Sequence, residues 1–222
     1  ARRAGAGVSS LLRTLGPPWA SRVLHGGGVY LRAPQLSDWA QWARLRAESR
    51  DFLVPWEPTW SADALTRAAF RRRLRRYYRD AREETGYAFF IFLQSDEALL
   101  GGITLTNVRR GVAGSCSVGY WIGRRHAHQG HMSDALVSLY PFVFGGLRLH
   151  RLEAACLPTN AASKGLLLKS GFSEEGFARQ YLKINGGWRD HILFALLDTD
   201  DRPGPMPAAA VTPRPAAGKG AR

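Results

Sequence analysis

Between Trp121 and Leu136 the chain reads Trp-Ile-Gly-Arg-Arg-His-Ala-His-Gln-Gly-His-Met-Ser-Asp-Ala-Leu. His126, His128 and His131 follow Arg124 and Arg125, and no acidic residue occurs from Gly119 to Ser133. The pattern reads as a strand, a loop holding Gly123 and Gly130, and the start of a helix. A basic, glycine-punctuated loop that opens a helix aims free N–H groups and the positive end of a dipole at an anion, and phosphate is the usual guest. Neither G-x-x-x-x-G-K-[ST] nor G-x-G-x-x-G is present, which excludes the two commonest nucleotide-binding loops. The spacing H-x-H-x-x-H lacks a carboxylate or cysteine partner, so no metal is expected.

The elements that must hold this loop follow from the hydrophobic pattern. Val29 to Arg32 reads as a short strand, broken by Pro34. Ser37 or Asp38 caps a helix through Trp39, Trp42, Leu45 and Arg46 toward Ser49. Phe52 to Trp60 reads as an aromatic loop stiffened by Pro55 and Pro58. Ser61 or Asp63 caps a second helix running to about Glu84, with Phe70, Leu74, Tyr77 and Ala81 as its apolar stripe. Strands are predicted at roughly 87–93, 98–106 and 115–123. Gly130 then leads a helix to about Gly145, residues 151–156 form a strand, and Asn160 caps a helix ended by Gly171. Strands at roughly 172–183 and 188–197 meet at the Asn185-Gly186 turn. The order β-α-α-β-β-β-α-β-α-β-β predicts an α/β (α+β) domain. Its expected form is a mixed, mostly antiparallel, twisted sheet of about seven strands with helices on both faces.

The 222 residues fit one domain at about 29–198. Residues 1–28 carry no acid and read as a basic, flexible leader, and residues 199–222 read as a disordered Pro/Ala-rich tail. No run approaches the ~18–20 apolar residues of a membrane span, so no membrane partner is expected. The net charge of +13 comes from 31 Lys+Arg against 18 Asp+Glu. Either the arginines are a compositional habit or they mark an acidic partner such as nucleic acid, the ribosome or a phosphorylated cofactor. Arg67, Arg71, Arg72, Arg73, Arg75, Arg76 and Arg79 are densest, with no acid among them. Arg72, Arg76 and Arg79 share a face of the Arg67–Arg79 helix that is either solvated or docks on RNA or acidic protein. Two cysteines make no disulfide framework. Cys116 and Cys156 should lie at opposite ends of neighbouring strands, beyond the ~7 Å limit for a bridge. A reducing, cytoplasmic setting is expected.

Over about residues 28–197 this order of elements and motifs resembles the GNAT acyltransferases. The branch it looks most like is the one typified by ribosomal-protein-alanine N-acetyltransferases. Gly119-Tyr120-Trp121-Ile122-Gly123 resembles the strand whose backbone receives the acetyl and pantetheine groups. His128-Gln129-Gly130-His131-Met132-Ser133 resembles the pyrophosphate loop. Asn160-Ala161-Ala162-Ser163 with Lys169-Ser170-Gly171-Phe172 resembles the branch's N-x-x-S…K-x-G-F segment. Tyr181-Leu182, Asn185-Gly186 and Trp188-Arg189-Asp190-His191 resemble its last strands, and Arg50-Asp51-Phe52-Leu53 with Pro55-Trp56-Glu57-Pro58 its acceptor-side loop. The loop signature [QR]-x-x-G-x-[GA] falls on Ala127, Gly130 and Met132, so only the central glycine matches. The backbone N–H groups that do the work are still supplied. Where many relatives place a general-acid tyrosine, this chain has Leu167.

The resemblance implies direct transfer of acetyl from acetyl-CoA to a primary amine, with the N-terminal amine of a ribosomal protein as the first-choice acceptor. A small-molecule or antibiotic acetyltransferase is one alternative, and a basic ribosome- or RNA-binding module with a degenerate core is another. A peptide α-amine has a pKa of about 7.7–8.0, so a modest base suffices. Glu57, between two tryptophans and two prolines, is the first candidate; otherwise it caps a turn or pairs with an arginine. Backbone N–H groups near Ile122 would receive the oxyanion. Ser163 would protonate the leaving thiolate unless it only satisfies its own helix start, and Tyr181 is the second acid candidate. Asn160 is an N-cap, a pantetheine contact, or both.

Overall fold

A computed structural model describes residues 19–204. Residues 1–18 of the expected leader and 205–222 of the expected tail lie outside the described residues, but 19–28 are not a flexible leader: Trp19 is buried in the core and Val23–Gly26 pair with the next strand. The described chain holds one eight-stranded sheet: β1 (Val23–Gly26), β2 (Val29–Arg32), β3 (Tyr87–Leu93), β4 (Leu99–Arg109), β5 (Ser115–Ile122), β6 (Arg151–Cys156), β7 (Ser173–Ile184) and β8 (Gly187–Leu197). Their spatial order is β1-β2-β3-β4-β5-β6-β8-β7, and every neighbouring pair is antiparallel except β5–β6. The sequence reading expected about seven strands. The eighth is β1, four residues with only one large apolar side chain facing each way, too short to show a period on its own. Pairing with β2 through Val23↔Arg32 to Gly26↔Val29 fixes it.

Helices α1 (Trp39–Glu48) and α3 (Arg67–Arg82) cover one face, while α4 (His131–Tyr140) and α5 (Ala161–Lys169) cover the other. Strand alternation divides the core between them. On β3, Phe89 and Ile91 join α4 and α5 in one cluster, and Phe90 and Phe92 join Trp42, Leu45, Phe70 and Leu74 in the second. Burying these side chains, each contributing about 1.5–3 kcal/mol relative to exposure, holds the helices to the sheet.

Several local expectations are corrected. Asp38 is not a side-chain cap for α1. It is buried against Arg32, accepting from both of its terminal nitrogens at 2.9 and 2.7 Å, because a buried carboxylate needs a cation more than a helix end does. Helix α3 starts at Thr66, whose hydroxyl accepts from the Ala69 N–H at 3.2 Å, rather than at Ser61 or Asp63. The segment expected as an aromatic loop begins as a helical turn, α2 (Arg50–Leu53), and continues as a 3-10 turn through Val54–Trp56. No helix among the described residues is long and apolar enough to cross a membrane.

Candidate active site

Strands β5 and β6 pair only through Ser115↔Arg151, Cys116↔Leu152 and Ser117↔Glu153. Both then run on, β5 to Ile122 and β6 to Cys156, without bonding each other. The other edge of β5 stays paired with β4, and Gly123 N–H donates to Leu100 O at 2.8 Å. N–H directions alternate along a strand, so those of Val118, Tyr120 and Ile122 point into the opening. Unpaired backbone donors in the middle of a sheet call for a partner, and an extended amide-bearing ligand supplies one.

The loop after β5 turns through a 3-10 segment, Arg124–His126, and reaches α4 by two left-handed residues, His128 (φ 60°) and Gly130 (φ 85°). Gly130 is the N-cap of α4, so the first N–H groups of the helix emerge beside the opening. Gln129 Nε2 donates to Arg125 O at 2.8 Å and braces the loop. Burial and the charges of Arg125 and His131 hold the His126 imidazole below its ordinary value. These donors and cations fit a diphosphate, through backbone groups that the mismatches at Ala127 and Met132 leave intact.

Across the opening, Asn160 caps α5 by accepting from Ser163 N–H at 3.0 Å. That bond fixes the first turn and sets the Ser163 hydroxyl 2.7 Å from the Tyr120 hydroxyl. The Cys156 thiol lies by the same serine, and burial raises the titration of both Cys156 and Tyr120. Leu167 is fully buried in the core. The hydroxyl that lies beside Ser163 comes from Tyr120 on β5.

One cavity of about 570 Å³ joins these parts. Of the residues nominated from sequence, it is lined by Glu57, Tyr120, Trp121, Ile122, His128, Gln129, Gly130, His131, Met132, Ser133, Asn160 and Ser163. Gly123 and Tyr181 are not in the lining. Gly123 packs beneath Leu45, where any Cβ would collide, and so shapes the loop from behind. Tyr181 is half exposed on a bulge of β7 with its ring against His191 and outside the cavity lining, so the structure does not bring it to the site as an acid. A second hollow, of about 540 Å³, lies between Arg76–Asp80 and Thr104–Val108 at the far end of the strands and shares none of these groups.

Glu57 lines the cavity, but its carboxylate is fully engaged. Arg46 donates to both oxygens, and Trp60 Nε1 donates to Oε2 at 2.7 Å. The guanidinium of Arg46 is itself nearly buried, 4.3 Å from the Trp60 ring centre and 4.8 Å from that of Trp121. Glu57 thus takes up the arginine pairing that the sequence left open as its alternative. The pair ties the α2 segment to α1 and to β5. Glu57 O also accepts from Asn185 N–H at 2.9 Å, which joins the β7–β8 turn to the same wall. Arg46 was legible only as a helix residue, because nothing local signals three tryptophans converging on it.

The arginine face of α3 is partly spent within the chain. Arg72 pairs with Asp63, Arg79 with Asp80 at 3.3 Å, and Arg76 lies over the Tyr77 ring. Cys116 and Cys156 are free and buried on parallel neighbours, as expected from their positions.

A sheet parted between two parallel strands, with a phosphate-type loop at one end of the parting, defines the class of acyl-CoA-dependent acyltransferases. The chain belongs to the GNAT acetyltransferase family: the model for the Acetyltransferase (GNAT) domain matches residues 29–173. It is similar to the probable N-acetyltransferase YjcK of Bacillus subtilis, 34% identical over 81% of this chain and 99% of that protein. It is also similar to the [ribosomal protein uS5]-alanine N-acetyltransferase of Escherichia coli, 34% identical over 71% of this chain and 81% of that protein. Among solved structures, Mycobacterium smegmatis RimJ in complex with CoA-disulfide superposes with a TM-score of 0.75 at 31% identity, covering 81% of this chain and 88% of that one.

Proposed function

We propose that the chain is an acetyl-CoA-dependent N-acetyltransferase acting on the N-terminal α-amine of a protein, with a ribosomal protein as the acceptor. The observation that carries the transfer chemistry is the Tyr120–Ser163 hydroxyl pair beside the open edge of β5. The acceptor class rests on the relatives, whose names describe ribosomal-protein alanine acetylation.

Acetyl-CoA supplies the activated acetyl group. The free N–H groups of β5 hold its extended arm and, near Ile122, receive the carbonyl oxygen as it gains charge. The first turn of α4 and the histidine loop hold the diphosphate. Either hydroxyl of the Tyr120–Ser163 pair can donate to the other; with Tyr120 as donor the serine O–H is free for the departing sulfur. Arg46 and Glu57 fix the wall on which the acceptor chain lies.

The test combines titration calorimetry of CoA with a thiol-release assay on peptides beginning with Ala, Ser or a blocked residue. Acetylation confined to free α-amines, verified by mass spectrometry, is the expected result. CoA binding without turnover on any peptide or ribosomal protein would return the degenerate-core alternative.

A further inference from the structure

On the acceptor side of the cavity Glu57 is tied to Arg46 and Trp60, and the structure offers another group. His191 lies on β8, paired with Ala178 of β7, and is only 2% exposed, yet it lines the cavity. Alternation places it on the sheet face opposite the Tyr120–Ser163 pair: Cys156 pairs with Ile192, and both belong to the α4–α5 core, so His191 points the other way. That is the side of Leu53, Trp56 and Glu57, which share the cavity.

Its ring is held on two sides. Nδ1 lies 3.0 Å from Arg189 O, and a carbonyl can only accept, so Nδ1 carries the proton. In the neutral ring Nε2 then has the lone pair. Tyr181 packs edge-on against the ring, with centroids 5.7 Å apart. A bulge puts Tyr181 there: Gln180 adopts φ 47°, and its N–H is caught by Asp190 Oδ1 at 2.8 Å. Among the described residues Nε2 has no hydrogen-bond partner. Nor is it closed off in the core: the enclosed side-chain polar atoms without a partner among the described residues are Trp19 Nε1 and Ser170 Oγ, so Nε2 reaches open space. An Nε2 that borders the cavity is left for a ligand.

We infer that His191 Nε2 is the general base of the acetyl transfer, a reading that rests on the proposed transfer reaction. As the acceptor nitrogen bonds to the acetyl carbonyl carbon and the carbon–sulfur bond breaks, one amine proton passes to Nε2. The sulfur takes its proton from Ser163 on the opposite face, and as products leave Ser163 regains a proton from solvent while Nε2 returns the amine proton to it. The two proton transfers are thus separated by the sheet itself. The amine approaches past Trp56 and Leu53, and the thioester comes through the parting of β5 and β6.

Two variants test this. In His191→Asn the amide nitrogen can still donate to Arg189 O, but the Nε2 acceptor is gone. In His191→Gln the amide oxygen reaches toward the Nε2 position as a hydrogen-bond acceptor that takes no proton. Unmodified protein must first turn over; absence of turnover would sink the transfer reading and this one with it. Expected for both variants is a fall in kcat of about 100-fold or more, with CoA affinity and melting temperature within error of the parent. Full kcat in a folded His191→Asn protein would overturn the base role. Loss in Asn with recovery in Gln would also overturn it, by showing that Nε2 only positions the amine.

Discussion

The hydroxyl oxygens of Tyr120 and Ser163 lie 2.7 Å apart, joining the open strand β5 to the first turn of α5. Neither side chain alone is arranged for acid catalysis. Tyr120 is a partly buried phenol whose titration desolvation pushes up, and Ser163 is an alcohol whose N–H is already used by Asn160. Together they form a short donor chain ending at the cavity. Ser163→Ala is expected to lower kcat by roughly 100-fold, and Tyr120→Phe by about 10-fold, with little change in CoA affinity. Steady-state kinetics beside calorimetry separates the two effects; a Tyr120→Phe protein with parental kcat would leave Ser163 acting alone.

Gly130 is expected to be intolerant of any side chain. At φ 85° a β-branched residue costs about 1–2 kcal/mol before any ligand contact is considered, and relieving that strain swings the first N–H groups of α4 off their line. Gly130→Val should therefore weaken CoA at least 10-fold while peptide KM stays near parental. Calorimetry with CoA decides it, and unchanged affinity would remove this loop from the binding site.

Glu57→Gln is expected to act first on stability. Arg46 is 7% exposed and Glu57 20%, so removing the carboxylate strands a nearly buried cation, at a cost of about 3 kcal/mol. For a chain of this size that is a fall in Tm of roughly 10 °C. Because the pair anchors the acceptor wall, peptide KM should rise more than kcat falls. A large drop in kcat at parental Tm would restore Glu57 as the base.

His126 gives CoA binding a pH dependence. Burial, then Arg125 and His131, holds its imidazole below 6.5, so the free protein keeps it neutral at pH 7. A bound diphosphate favours the charged form and raises that value, so binding takes up a proton and tightens as pH falls toward and below 6.5. The free protein behaves oppositely: unfolding binds the proton more readily, and the stability this site contributes above pH 6.5 is lost below it. Calorimetry in buffers of different ionisation enthalpy should show proton uptake in the parent and none in His126→Asn. Equal, negligible uptake in both would detach the histidine from the diphosphate.

The sequence by itself determined the parts that obey local rules. The apolar stripe Phe70–Leu74–Ala81, the cap at Asn160 and the Asn185-Gly186 turn, with φ 44° and 82°, all follow from spacing within a few residues. The glycine loop after β5 was legible for the same reason, since its features lie in the consecutive backbone of residues 122–133. Only the tertiary structure decided what those groups could do. The cage of Trp42, Trp60 and Trp121 around Arg46, the Glu57 ion pair, the Tyr120–Ser163 contact and the packing of Tyr181 on His191 each join residues from separate elements. Whether a carboxylate is a base or half of an ion pair depends on which charge folding brings beside it, and no periodicity in the chain records that.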